Sequence, residues 1–264
     1  MDLNVFHEYG EELEKRLRLQ TYPIAVTLLE KESNIPEGVK RPVRDFGYHI
    51  SLCQALAMSR REGTMLAMLK EDMWCFEPVL GYGLAEPPEY FLEGHNRYPL
   101  DVMTLEAGAN YAREFPCLEV GKYIGVMSAP LTTTPLEPDV VMLYCNSAQL
   151  SLLLLARECK EGFNLKCNMS SHASCVYAIV FAIQSGECQV AVPCRGDRYA
   201  GLAGDDEMVF SAPKEKLEDL IAGLRYVHEV GYSRLPRGYE MKPEWTLPGS
   251  YKKAGKMLGM DWLY

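Results

Sequence analysis

The sequence predicts an α+β protein, or a mixed-sheet α/β one, built as a single domain with a pseudo-two-fold internal duplication. Three observations lead there. Short apolar runs of strand length are interleaved with helix-length periodic segments at uneven spacing. Residues 51–85 and 174–203 follow one plan: a Ser and a Cys, an apolar run, a Gly, a strand-like run, a second Cys and a Gly-Leu-Ala. Composition then changes near residue 232, where long apolar runs give way to prolines, tryptophans and basic residues.

Residues 3–19 carry Leu3, Phe6, Leu13 and Leu17 on roughly one face, as an amphipathic helix does. PIAVTLL at 23–29 reads as a buried strand, and the Pro, Gly and basic residues of 36–48 read as a loop. A helix over 51–61 opens at Ser51 and closes at Gly63, and TMLAML at 64–69 is a strand leading toward Cys75. Residues 78–100 predict turns with a short helix near 88–93, and 101–113 a further helix. KYIGVMS at 122–128 and DVVMLYC at 139–145 are strands, the second so continuously apolar that it suits a sheet covered on both faces. Helices follow over 147–160 and 174–185, then strands at 188–192 and 207–212. Pro213 opens a helix over 214–229 with Leu217, Leu220, Ile221, Leu224 and Val227 on one face.

Residues 1–231 are therefore expected to form the duplicated domain. Residues 232–264 form a C-terminal extension that packs on the body or on a second subunit, making a homo-oligomer the expected state. The 264 residues are 48% apolar and 24% charged, an ordinary globular balance. A net charge of −9 argues against a nucleic-acid partner, whose phosphates need a basic face. No uninterrupted apolar run reaches membrane-spanning length. The acidic N-terminus lacks the apolar core of a signal peptide, which points to the cytoplasm. Disulfides are disfavoured there, so nine cysteines need another explanation.

The repeat supplies one. It sets Cys53 and Cys175 near the first turn of a helix, where the helix dipole favours a thiolate; Ser51 is the expected cap of the first, Ser171 or Ser174 of the second. Cys75 and Cys194 each follow a strand-like run and enter a turn. A two-fold relation would bring all four together. Four thiolates suit an iron–sulfur cluster, here of the [4Fe–4S] type, or zinc. No C-x-x-C joins the four positions, so the ligands would meet only through the fold. Arg195 and Arg198, in the glycine-rich stretch 194–210, are positioned to bind a carboxylate or phosphate. His49 and His172 precede the repeat cysteines and are either neighbours of the site or surface and capping groups. Cys117, Cys145, Cys159 and Cys188 fit apolar patterns, and Cys167 lies in a polar stretch as a spare ligand or redox partner.

Several of these elements carry a resemblance: Cys-Gln at 53–54, Glu-Asp-x-x-Cys at 71–75, Pro-Asp-Val-Val at 138–141 with Gln149 downstream, and Cys-x-Gly-x-Arg at 194–198 followed by Gly-Leu-x-x-Asp-Asp-Glu at 201–207. Together they make the chain resemble the family catalogued as domain of unknown function 169. The resemblance covers about residues 20–225 and implies a shared fold; it brings no reaction with it. Phe76-Glu77-Pro78 stands where relatives tend to have Pro-x-Gly, so the turn after Cys75 is expected to differ. The leading expectation is an iron–sulfur protein acting in electron transfer, redox sensing or small-ligand binding, with a redox partner protein or a small anion as its counterpart. Two alternatives stand beside it: a cofactor-free enzyme with an activated thiol and an arginine-lined anion site, and a structural or partner-binding protein.

Overall fold

Six strands form one sheet: β1 (Ile24–Leu29), β2 (Leu66–Leu69), β3 (Gly125–Pro130), β4 (Val140–Cys145), β5 (Gln189–Ala191) and β6 (Met208–Pro213). In this computed structural model, which describes residues 2–160, 162–232 and 248–260, their order is β2-β3-β1-β4-β6-β5. Every named strand pairing is antiparallel. The architecture is thus α+β, and the mixed-sheet alternative falls away.

The helices, in chain order, are α1 (Leu3–Leu17), α2 (Leu52–Glu62), α3 (Phe76–Gly81), α4 (Glu89–Leu92), α5 (Leu105–Glu114), α6 (Ser147–Glu158), α7 (Ser174–Ser185), α8 (Arg195–Tyr199), α9 (Lys214–Glu229) and α10 (Gly249–Met257). The sheet is covered on both faces, which explains why β4 is apolar at every position. Because side chains alternate along a strand, Val140, Met142 and Tyr144 enter a front core with α2, α3, α4, α5 and α7. Val141, Leu143 and Cys145 enter a back core with α1, α6 and α9. α6 and α9 cross closely because a Cβ on Gly223 would overlap the Ala156 carbonyl.

Local signals place the helix starts. Ser51 and Gln54 form a capping box: the Gln54 N–H donates to Ser51 Oγ at 3.1 Å, and the Ser51 N–H to Gln54 Oε1 at 2.8 Å. Asn146 and Gln149 do the same for α6, one residue before the expected start. α7 departs from expectation. Neither Ser171 nor Ser174 caps it; Ala173 does, at φ 45° with no side-chain bond. Ser174 is drawn into the site instead. The stretch 36–48, expected to be a loop, instead contains a π-helical turn over Pro42–Phe46, and it is pinned by buried Asp72, whose carboxylate accepts from Arg41 Nε at 3.0 Å and from the Val43 N–H at 3.2 Å.

The chain divides into a unit ending at Gly231 and a second starting at Tyr232. α10 belongs to the second. Most of the extension expected to pack on the body or a second subunit lies outside the described residues. Among those described, no helix is long and apolar enough to cross a membrane.

Candidate functional site

Cys53, Cys75, Cys175 and Cys194 all line one cavity of about 360 Å³ on the front face. Four separate elements carry them. Cys53 and Cys175 lie in the first turns of α2 and α7, while Cys75 and Cys194 are the residues preceding α3 and α8. Gly81 lets these elements meet: a Cβ there would overlap Val176, the neighbour of Cys175.

The titration of Cys53 is tied to the Cys175 and Cys194 thiols, and their influence together with burial holds Cys53 well above the ordinary thiol range. Cys53 in turn lowers Cys194, and against the cost of burial Ser174 and the Asp197 N–H help to bring it down to about 5. At Cys175 the lowering by Cys53 is outweighed by burial and by repulsion from Cys194 and Asp197. Of the three, Cys194 is thus the thiol that ionises most readily. Cys75 sits apart: its thiol donates to Glu77 Oε2 at 3.0 Å, and burial and the Glu77 charge raise it. Among the described residues, no group of three or more His, Cys, Asp or Glu side chains is arranged to hold a metal ion.

A buried polar layer supports the trio. The Asp197 N–H donates to Cys194 Sγ at 3.4 Å, and the Cys194 N–H to Ser174 Oγ at 3.3 Å. The Asp197 carboxylate accepts from Tyr144 Oη at 2.9 Å and from Ser174 Oγ at 3.0 Å. Burial raises it to about 6, the Tyr144 bond opposing and Cys194 repulsion adding. Arg60, fully buried, lies 3.9 Å over the Tyr144 ring and pairs with Glu207 at 3.0 Å.

The two arginines read from the sequence separate. Arg195 lines the cavity, is exposed, and has no ion-pair or hydrogen-bond partner among the described residues. Arg198 turns to the Gly204 carbonyl at 2.8 Å and to Asp205 at 3.5 Å. His172 lines the cavity and meets Arg97 and Asp101, whereas His49 is exposed. Cys167 accepts the Val190 N–H at 3.2 Å, away from the cavity.

Sequence reasoning missed Asn96, Arg97 and Asp101, all on the cavity wall in or beside a segment read as turns. It also missed Arg60 and Asp197. The signal for Arg60 was present: it follows Cys53 and Leu56 at helical spacing on the apolar face of α2.

The family model described as an uncharacterised ArCR family, DUF169, matches residues 12–223. The uncharacterised protein MJ0308 of Methanocaldococcus jannaschii is 25% identical over 234 residues, covering 87% of this chain and 98% of its own length. No solved structure matches the chain.

Proposed function

The chain belongs to the DUF169 family, and from that premise we propose that it carries a thiolate-ligated iron–sulfur centre of the [4Fe–4S] type. Cys53, Cys75, Cys175 and Cys194 are the ligands, and the centre serves electron transfer, redox sensing or binding of a small ligand beside it. One observation carries this reading: four cysteines far apart in sequence share one cavity wall. Buried thiols resist ionising unless a cation or donors stabilise the anion. Here donors already hold one thiolate, and the positive charge of a metal centre would ionise the rest. The space of about 360 Å³ suits a group larger than a single ion. To join, Cys75 must exchange its bond to Glu77 for the centre. Nine free thiols fit a reducing compartment such as the cytoplasm.

Elemental and sulfide analysis of anaerobically purified protein tests the proposal. The expected result is brown protein with about four irons per chain. Colourless, iron-free protein overturns it, and one zinc per chain replaces it with a structural zinc site.

A second reading rests on a different observation. Cys194, held at about 5 beside a cavity, has the character of an activated nucleophile in a cofactor-free enzyme. That reading expects Cys194 to be alkylated rapidly at neutral pH in metal-free protein.

A further inference from the structure

A second cavity, of about 310 Å³, lies where β4 gives way to α6, and it shares no lining residue with the thiol cavity. Small-molecule sites start at about this size, roughly 300 Å³. Gln149, Asp206 and Glu207 line it, three residues that carry the family resemblance and that the thiol centre does not use. Two of them are engaged within the chain. Gln149 completes the capping box of α6 and donates to the Leu17 and Arg18 carbonyls at 3.0 and 3.1 Å. Glu207 is neutralised by Arg60 and accepts the Gly204 N–H at 2.8 Å.

Two charges on the wall are not neutralised. Arg61, in the last turn of α2, donates to the Leu202 carbonyl at 2.7 Å and has no carboxylate partner among the described residues. Asp206 has neither an ion-pair nor a hydrogen-bond partner among them. Opposite charges on one wall gain by closing on each other, yet these two do not pair. Both are placed by their surroundings. The Leu202 bond steadies the guanidinium and leaves most of its donors for another acceptor. A Cβ on Gly204 would come within 3.3 Å of Asp206 Oδ1, so the glycine makes room for the carboxylate on the wall. Charges in a cleft project a stronger field than the same charges on an open surface. A monoanion drawn to Arg61 also meets Asp206, and a monocation drawn to Asp206 also meets Arg61. A molecule carrying both charges is attracted at both ends.

We propose that this second cavity binds a small zwitterion of amino-acid size, its carboxylate on Arg61 and its ammonium on Asp206. Binding there needs none of the four cavity cysteines.

Titration calorimetry on the full chain tests it. Glycine, β-alanine and γ-aminobutyrate carry both charges at increasing separation; propionate and propylamine carry one each. The best of the three zwitterions is expected to bind at least about tenfold more tightly than either single-charge probe. Arg61→Gln should bring that zwitterion to the propylamine level, and Asp206→Asn to the propionate level. Both side chains are exposed, so the variants should keep the wild-type Tm. Arg195→Ala, in the other cavity, should leave the affinity as it is. The proposal is overturned if no zwitterion binds, if a single-charge probe binds as well, or if either wall substitution leaves the affinity unchanged. Loss of binding in Arg195→Ala overturns it too, because the ligand would then lie beside the thiols. Iron content of the same samples keeps the two sites apart. Iron-free protein that binds the zwitterion removes the cluster and keeps this site; iron-loaded protein that binds none does the reverse.

Discussion

Behind the sheet, Cys145 and Cys188 are buried at 1% and 0% exposure among leucine, alanine and phenylalanine side chains, and burial pushes both thiols up to about 12. In front of it, Cys194 is buried to 8% and is brought down to about 5. Comparable burial gives opposite chemistry because the surroundings differ. The back core gives its thiols no donor to stabilise an anion: the Cys145 thiol itself donates, to the Met208 carbonyl at 3.7 Å. The front core presents Cys194 with a thiol, a hydroxyl and a backbone N–H. It also houses the buried charges Arg60, Arg97 and Asp197, an expense that a purely structural layer has no reason to carry.

The strongest way to break this comparison is to remove a front-face charge. Arg60→Ala strands Glu207, takes donors from the Gly201 and Leu202 carbonyls, and removes the cation over Tyr144. The expected loss is about 4 kcal/mol of unfolding free energy in a denaturant titration. A loss under about 1 kcal/mol would mean that the front layer tolerates charge no differently from a surface.

Alkylation of metal-free protein near pH 7 compares the two faces directly. Cys194 is almost wholly thiolate there, and Cys145 and Cys188 are almost wholly protonated. Even allowing for the weaker intrinsic nucleophilicity of a low-pKa thiolate, Cys194 should react at least about a hundredfold faster. Mass mapping that finds all three labelled together removes the distinction, and metal loading should protect Cys194.

How far the sequence foretold this depends on range. Each of the six strands and most of the longer helices follow from local periodicity, and Ser51, Gly63 and Gly186 mark helix ends where expected. The short helices α3 and α8 were read as turns, because six and five residues are too few for a period to show. The four cavity cysteines were singled out by the repeat. Asn96, Arg97 and Asp197 were not, because a buried polar group is defined by what surrounds it, and the partners here come from distant segments: His172 stands 75 residues from Arg97 and Tyr144 stands 53 from Asp197. Arg195 and Arg198 illustrate the limit: side by side in one motif, they differ only in which way α8 turns each of them.

The pH dependence of stability separates the faces by sign. Cys194 ionises at about 5 when folded against 9.0 ordinarily, so between those values the unfolded chain holds the extra proton. Its contribution is present above pH 9 and is lost as pH falls through 5. Cys145 and Cys188 ionise at about 12 when folded, so their contribution is present below pH 9 and is lost as pH rises through 12. Asp197, raised to about 6 from 3.8, contributes below 3.8 and loses that as pH rises through 6. The stability gap between metal-free wild type and Cys194→Ser should therefore widen from pH 5 to pH 9. A constant gap would show that Cys194 keeps its proton in the fold.

The smallest effect discriminates most finely, because the same atom is deleted from each face. Cys188→Ala removes one sulfur from the packed back core and should cost about 1 kcal/mol. Nothing there depends on the thiol as a donor, so labelling of Cys194 should be unchanged. Cys53→Ala removes one sulfur of similar burial from the front core. It also removes the thiol that does most to hold Cys194 down, leaving Ser174 and the Asp197 N–H to oppose burial alone. Cys194 should then titrate higher, and its alkylation near pH 7 should slow, although the loss of stability is similar. If Cys53→Ala and Cys188→Ala leave Cys194 equally reactive, the anion is held by the backbone of α8 and Ser174, and the Cys53 thiol does not create it.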